Sequence, residues 1–203
     1  LVNTANARIL AFDFDRLSVK IIALDGQPVP PTRPSSKGVV LAPAQRADVI
    51  IDINGKPGDA IPVWEVSTRD RLKSAEFIIS EKLQLRNHDH NMPIILPDNA
   101  LRTKLDLNQA RHIELIMGGG AMGRLQEGHI DGKLMGIREM VEKKMVWVLN
   151  GKAGMHKKPL AAISKGQTAI INMINRTAFS HAMHLHGHHF QVIERNGKPV
   201  MKS

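Results

Sequence analysis

Apolar residues in this chain come in short runs closed off by Gly, Pro, Asn or Asp, and that spacing most limits the folds open to it. Val19 to Leu24 is one such run, followed by the turn pair Asp25-Gly26, and Gly38 to Ala42 is another. In Asp48 to Ile53, Val49, Ile51 and Ile53 alternate with Asp48 and Asp52, the period of a strand with one face buried. Ile61 to Thr68 and Ala75 to Ser80 continue the series, and strand signals return at Met145 to Leu149, Thr168 to Ile174 and Phe190 to Glu194. The pattern predicts an all-β chain built on sandwiches. At 203 residues and 42% hydrophobic, the chain can bury one large core or two small ones.

Between Glu81 and about Glu142 the character changes. Leu83 to Asn91 is polar and His-bearing, and Pro93 and Pro97 punctuate the residues after it. Arg111 to Met117 is predicted as a strand that Gly118-Gly119-Gly120 breaks, and Gly123, Gly128, Gly132 and Gly136 are expected to leave the next stretch loose. A short helix is expected within Leu134 to Lys144. Residues 1–80 are therefore read as one sandwich domain, 81–142 as a Gly- and Met-containing connector and 143–203 as the first part of a second sandwich. Gly118 to Gly123 lacks the Lys-Ser/Thr pair of a phosphate cradle, so it is read as a flexible link.

An internal echo supports two related halves. Ile21-Ile22-Ala23-Leu24-Asp25-Gly26-Gln27-Pro28-Val29 is similar to Val192-Ile193-Glu194-Arg195-Asn196-Gly197-Lys198-Pro199-Val200, with Gly26 and Gly197 171 positions apart. Upstream, Val2-Asn3 matches Ile174-Asn175 with a one-residue slip. Both turns, Asp-Gly and Asn-Gly, suit a tight hairpin. The first copy runs on to about Ser80 while the second stops at Ser203, so the second domain is expected to be truncated.

Composition closes off several functions. With Cys at 0, neither a disulfide framework nor a Cys-ligated zinc site is available. The net charge is +9, but the Lys and Arg residues are scattered and aromatics are only 3%, so the base-stacking platforms of a nucleic-acid binder are missing. The charge is read as a solvated basic surface, with no nucleic-acid partner. No apolar run approaches the roughly 20 residues of a bilayer span. No leader peptide is visible, though the chain opens on Leu1, not Met. There is no Gly-x-Ser-x-Gly elbow and no Walker loop.

The densest chemical signal is His181-Ala182-Met183-His184-Leu185-His186-Gly187-His188-His189-Phe190, which holds five of the ten histidines. Neutral imidazole is a ligand for copper, zinc, iron and nickel. On a strand, His184 and His186 project to one face and Leu185 to the other, while His181 has the opposite parity. One segment would thus serve two metal centres. Gly187 is expected where something approaches the backbone closely. The bland alternative is a surface or tag-like His cluster, but a tag would be uniform, without Leu, Met and Gly at set places. His188 and His189 are read as packed or supporting residues rather than ligands.

The block resembles the third copper-binding motif of the multicopper oxidases, His-x-x-His-x-His-Gly-His-x-Phe, and agrees with it at every fixed position. Asn3 to Arg8, Ile22 to Gly26 and Leu41 to Asp48 are similar to the family's middle domain, and Trp147 to Gly151 to the opening strand of its last domain. The resemblance implies Greek-key cupredoxin-like sandwiches, one nearly complete and one partial. It implies that His181 ligates the type 1 copper, His184 the type 2 copper and His186 one copper of the type 3 pair. A laccase-like or cuprous-oxidase-like parent enzyme is then expected, oxidising a phenol or Cu(I) and reducing O2 to water. Family habit places such enzymes in the periplasm or outside the cell.

The chain also departs from the pattern. It lacks the two His-rich motifs of the family's first domain and the final His-Cys-His motif, so it has no thiolate for a blue site. Missing domains would be needed to complete the copper sites, and the chain alone is expected to be inactive. The positions echoing His181, His184 and His186 are Leu10, Asp13 and Asp15, so the first copy is read as structural. Two alternatives stand beside the enzyme: a non-enzymatic cupredoxin-fold interaction module, and a protein that merely binds metal through this cluster. His88 and His90 are read as part of a solvated loop. Met117, Met122, Met135, Met140 and Met145, with thioethers that favour Cu(I), are read as ordinary packing.

Overall fold

The computed structural model describes residues 1–82, 95–100 and 104–200. His88 and His90 lie outside the described residues. The chain divides into two compact units, one of Leu1–Arg102 with Ala182–Ser203 and the other of Thr103–His181. The described residues form fourteen strands and one six-residue helix, an all-β architecture.

The first unit opens with β1 (Leu10–Asp13), β2 (Ser18–Leu24), β3 (Gln27–Thr32), β4 (Val39–Leu41), β5 (Ala47–Asp52), β6 (Ala60–Glu65) and β7 (Leu72–Ile78). They pair antiparallel into two sheets, ordered β4-β1-β6-β7 and β3-β2-β5. The alternation seen in the sequence supplies the core between them. Val19 and Ala47 from one sheet meet Val39, Leu41, Ile61 and Val63 from the other, with Phe14 and Leu17 from the β1–β2 turn. Each large apolar side chain buried there contributes roughly 1.5–3 kcal/mol. The register fixes which residues face in: Asp48 and Asp52 on β5 are exposed while Val49 and Ile51 pack against the core.

Asn3 ties the chain's first residues to this sandwich. It is 1% exposed; its Nδ2 donates to the carbonyls of Arg8 (2.9 Å) and Leu41 (2.8 Å), and its Oδ1 accepts from the Ala5 N–H (2.9 Å). A buried amide is tolerated because all three bonds are made.

The second unit holds β8 (Arg111–Gly119), β9 (Glu127–Ile130), β10 (Lys133–Gly136), α1 (Ile137–Glu142), β11 (Trp147–Leu149) and β12 (Ala169–Asn175). β8 is central, antiparallel to β11 and parallel to β12. Ile130, Met140, Val148 and Ala153 form a separate core, with Leu125, Met135 and Ile137 packed on it. The helix starts where the Glu139 carboxylate reaches back to the Gly136 N–H at 3.1 Å.

The expectation of a loose glycine link is corrected here. β8 runs through Gly118 and ends at Gly119, and the turn after it is packed. A Cβ on Gly120 would stand 2.2 Å from the Trp147 ring, and Gly120 has φ +78°. The glycines are there because the indole and the backbone need the space, not to confer freedom.

Two further strands, β13 (Glu194–Arg195) and β14 (Lys198–Pro199), close the described chain as a hairpin. Phe190 to Val192, expected as strand, has none. The hairpin repeats the β2–β3 turn residue for residue. Leu24 faces Gln27 and Ala23 faces Pro28; 171 positions on, Arg195 faces Lys198 and Glu194 faces Pro199. Both turns take positive φ at both central residues, Asp25 (51°) and Gly26 (78°), then Asn196 (53°) and Gly197 (73°). That conformation matches the strands' twist.

Candidate metal centre

The histidine segment is not a strand. Residues 181–190 carry no ladder, only a turn at His186-Gly187. Its counterpart in the echo, β1, is held as a strand by β4 and β6, whereas residues 181–190 pair with no strand among the described residues. The predicted alternation nevertheless holds in burial, with His184 and His186 exposed and Met183 and Leu185 half-buried. Gly187 also needs another explanation. A Cβ there would meet nothing within 4 Å, and its φ of +74° is what the turn after His186 requires.

His181 closes the second unit. Its Nε2 lies 2.7 Å from the Thr177 hydroxyl, and its ring meets the Trp147 indole edge-on, centroids 5.4 Å apart at 89°. Phe179 lies against the same indole at 6.3 Å. Met117, Gly118, Trp147, Val148, Leu149 and His181 line a pocket of about 340 Å³. The strand β11 carries Trp147 and the Asn175 turn carries Thr177, and the imidazole that touches both lines this pocket.

His184 and His186 belong to the first unit, their rings 4.9 Å apart at 86°. Both are exposed, so little desolvation opposes a metal ion taking their nitrogens. Among the described residues no three His, Cys, Asp or Glu side chains gather as a metal-binding group.

At the echoing positions the first unit does something else. Asp13 pairs with Arg71 at 3.0 Å and accepts the Asp15 N–H, Asp15 takes a left-handed φ of 53°, and Leu10 sits in the β1–β4 ladder opposite Leu41. These are turn and strand roles.

A sequence profile of the multicopper oxidases matches residues 129–203, which include the whole histidine segment. Along its full length the chain is similar to the crystal structure of Lac15 from a marine microbial metagenome, at 26% identity and a TM-score of 0.66. Residues 129–203 carry the multicopper oxidase profile, and the chain as a whole is similar to a fragment of such an enzyme. A multi-copper oxidase from Pseudomonas thermotolerans shares the fold over 83% of the chain, at 18% identity and a TM-score of 0.56. No curated protein matches significantly. The chain spans 43% of the Lac15 chain and 34% of the Pseudomonas one. Its sandwich is thus the cupredoxin-like architecture of multicopper oxidase domains.

The donors suit copper. The motif offers imidazole nitrogens, which bind copper in either common oxidation state, and no competing carboxylate lies among residues 181–190. Two residues that shape this multicopper oxidase segment escaped the sequence reading. Thr177 and Trp147 carry no metal-binding chemistry of their own, although Asn175-x-Thr177 is a side-chain turn signal that points at its neighbours. The Met residues divide: Met117 and Met140 are buried and Met135 packs on the second core, whereas Met122 is 78% and Met155 96% exposed.

Proposed function

We propose that this chain is the part of a copper oxidoreductase that carries three copper ligands, His181 for a type 1 centre, His184 for a type 2 centre and His186 for one copper of a type 3 pair. The observation that carries the reading is the match of His181-x-x-His184-x-His186-Gly187-His188-x-Phe190 to the family motif, inside the residues the family profile covers. Copper held by these residues would supply one-electron redox chemistry, oxidising a small reductant such as a phenol or Cu(I) and reducing O2 to water.

The chain's own residues bind and orient. Trp147 and Thr177 hold the His181 ring, and in the residues after it the exposed His184 and His186 alternate with the half-buried Met183 and Leu185. Residues 1–80, with Leu10, Asp13 and Asp15 at the echoing positions, act as a copper-free sandwich. A periplasmic or extracellular site fits the family; among the described residues no helix is long and apolar enough to cross a membrane.

These 203 residues contain no Cys, so by themselves they supply no thiolate, and the isolated chain is expected to bind copper without turning over substrate. The test is copper stoichiometry and O2 consumption on the chain and on H181A, H184A and H186A. Copper bound through these histidines with no O2 consumption supports the reading. Copper uptake unaffected in all three variants would exclude them as ligands, and robust O2 consumption by the chain alone would overturn the expected inactivity.

A further inference from the structure

The turn that precedes His181 has a twin in the first unit, and the two differ at the residue whose N–H the Asn side chain accepts. In the second unit Asn175 Oδ1 accepts the Thr177 N–H (2.9 Å) and its Nδ2 donates to the Phe179 carbonyl (2.6 Å). In the first, Asn3 Oδ1 accepts the Ala5 N–H and its Nδ2 donates to the Arg8 carbonyl. Asn3 and Asn175 are 172 positions apart, Arg8 and Phe179 171, so the one-residue slip in the echo lies inside this turn. Ala5 stands where Thr177 stands, and Leu10 where His181 stands. The turn therefore closes with no hydroxyl at the Ala5 position. In the copy that carries the imidazole the hydroxyl sits on the residue whose N–H the Asn accepts, whereas the first copy has a hydroxyl one residue earlier, on the exposed Thr4.

Hydrogen-bond accounting says what that hydroxyl does. Thr177 Oγ1 lies 2.7 Å from Asn175 Oδ1, 3.0 Å from the Phe179 carbonyl oxygen and 2.7 Å from His181 Nε2, and it accepts the Phe179 N–H at 3.2 Å. Asn175 Oδ1 is the oxygen, since it receives the Thr177 N–H while its nitrogen donates to a carbonyl. A hydroxyl has a single proton. Two of its oxygen neighbours can only accept, so the proton goes to one of them. Turned toward the ring, it would leave two oxygens facing Oγ1 with no hydrogen between them. Toward His181 the hydroxyl therefore accepts, and Nε2 carries the proton.

We propose that Thr177 is a positioning residue for His181: its hydroxyl, already committed to the Asn175 turn, holds the imidazole in the Nε2–H tautomer and presents Nδ1 as the bare donor nitrogen. The role rests on the reading of His181 as a copper ligand. It is an instance of a general rule, that the hydrogen bond at one ring nitrogen sets which nitrogen is free for metal. Edge contact with Trp147 fixes the ring's tilt, and the hydroxyl fixes its proton.

The test uses the full chain, metal-free, with long-range proton–nitrogen correlation NMR of the imidazoles well above the usual titration range near about 6.5. His181 is expected as the Nε2–H tautomer. T177A is expected to fold with its Asn175 turn amides in place, as Ala5 does in the twin, but to give a mixture of tautomers, and T177S is expected to restore one. A mixed or Nδ1–H tautomer in the parent chain, or no change in T177A, overturns the positioning role. Cu(II) titration then separates the two ideas. T177A is expected to weaken copper binding at His181 by roughly ten- to hundredfold, with T177S restoring it. Copper that leaves the His181 ring unperturbed while its tautomer is fixed would overturn the ligand reading and leave the hydrogen bond intact.

Discussion

The indole of Trp147 stands perpendicular to the imidazole of His181, with 5.4 Å between ring centres. The chain has only two tryptophans, and the other, Trp64, belongs to the first unit with Arg71 over its ring. Trp147 is therefore a built-in reporter for His181. In a W64F chain, Cu(II) is expected to quench the remaining emission as His181 fills, since a paramagnetic ion in contact with the imidazole opens a short-range decay path for the indole. H181A is expected to keep its emission at the same copper concentration. Equal quenching in both would place the copper elsewhere.

The Asn3 side chain ties the chain's first residues to β4 through the Leu41 carbonyl. Replacing Asn3 with Ala leaves the carbonyl of Leu41, inside the sandwich, without its donor, and frees the Ala5 amide. N3A is expected to lose about 2–4 kcal/mol, read as a lower urea midpoint with an unchanged slope. N175A, in the exposed twin turn, is expected to lose roughly 1 kcal/mol or less of global stability.

Much of the fold was legible because alternation and burial coincide. β2, β5 and β6 lie in the short apolar runs that hold Val19, Val49, Ile51, Ile61 and Val63, and the Asp25-Gly26 and Asn196-Gly197 turns form the hairpins their φ values allow. The glycine segment was misread because composition alone does not distinguish a glycine that loosens a chain from one that admits an indole, as Gly120 does. The histidines gave away their number and parity, but a strand needs partners, and residues 181–190 have none among the described residues. Thr177 was invisible for a similar reason: its meaning depends on which oxygens surround its one proton, a three-dimensional fact.

The methionines offer a test of packing against metal handling. Met140 has no exposed surface and packs on Ile130 and Val148, so M140A is expected to cost about 2–5 kcal/mol through the cavity it leaves. Met122 and Met155 are largely in solvent, and their Ala variants are expected to stay within roughly 0.5 kcal/mol of the parent. Thermal or urea unfolding measures both. If M122A instead changed Cu(I) uptake with stability unaltered, a thioether role would replace the packing reading for that residue.

Glu65 links the sandwich to pH. It is 6% exposed at the end of β6, and hydrogen bonds from Ser67 hold its carboxyl below the usual glutamate range against the opposing cost of burial. Arg8 adds a smaller attraction. Because the folded pKa is depressed, the unfolded chain binds more protons in the window between the two values, so stability rises with pH there. The contribution is complete above the unfolded value, roughly 4.3, and is lost as pH falls through the lower folded value. E65Q keeps the acceptor toward the Ser67 amide but removes the titration. Its urea midpoint is expected to lie below the parent's at neutral pH and to fall less steeply in acid, so that the two curves converge. Parallel curves from neutral pH down through the glutamate range would show that Glu65 is not a source of acid sensitivity.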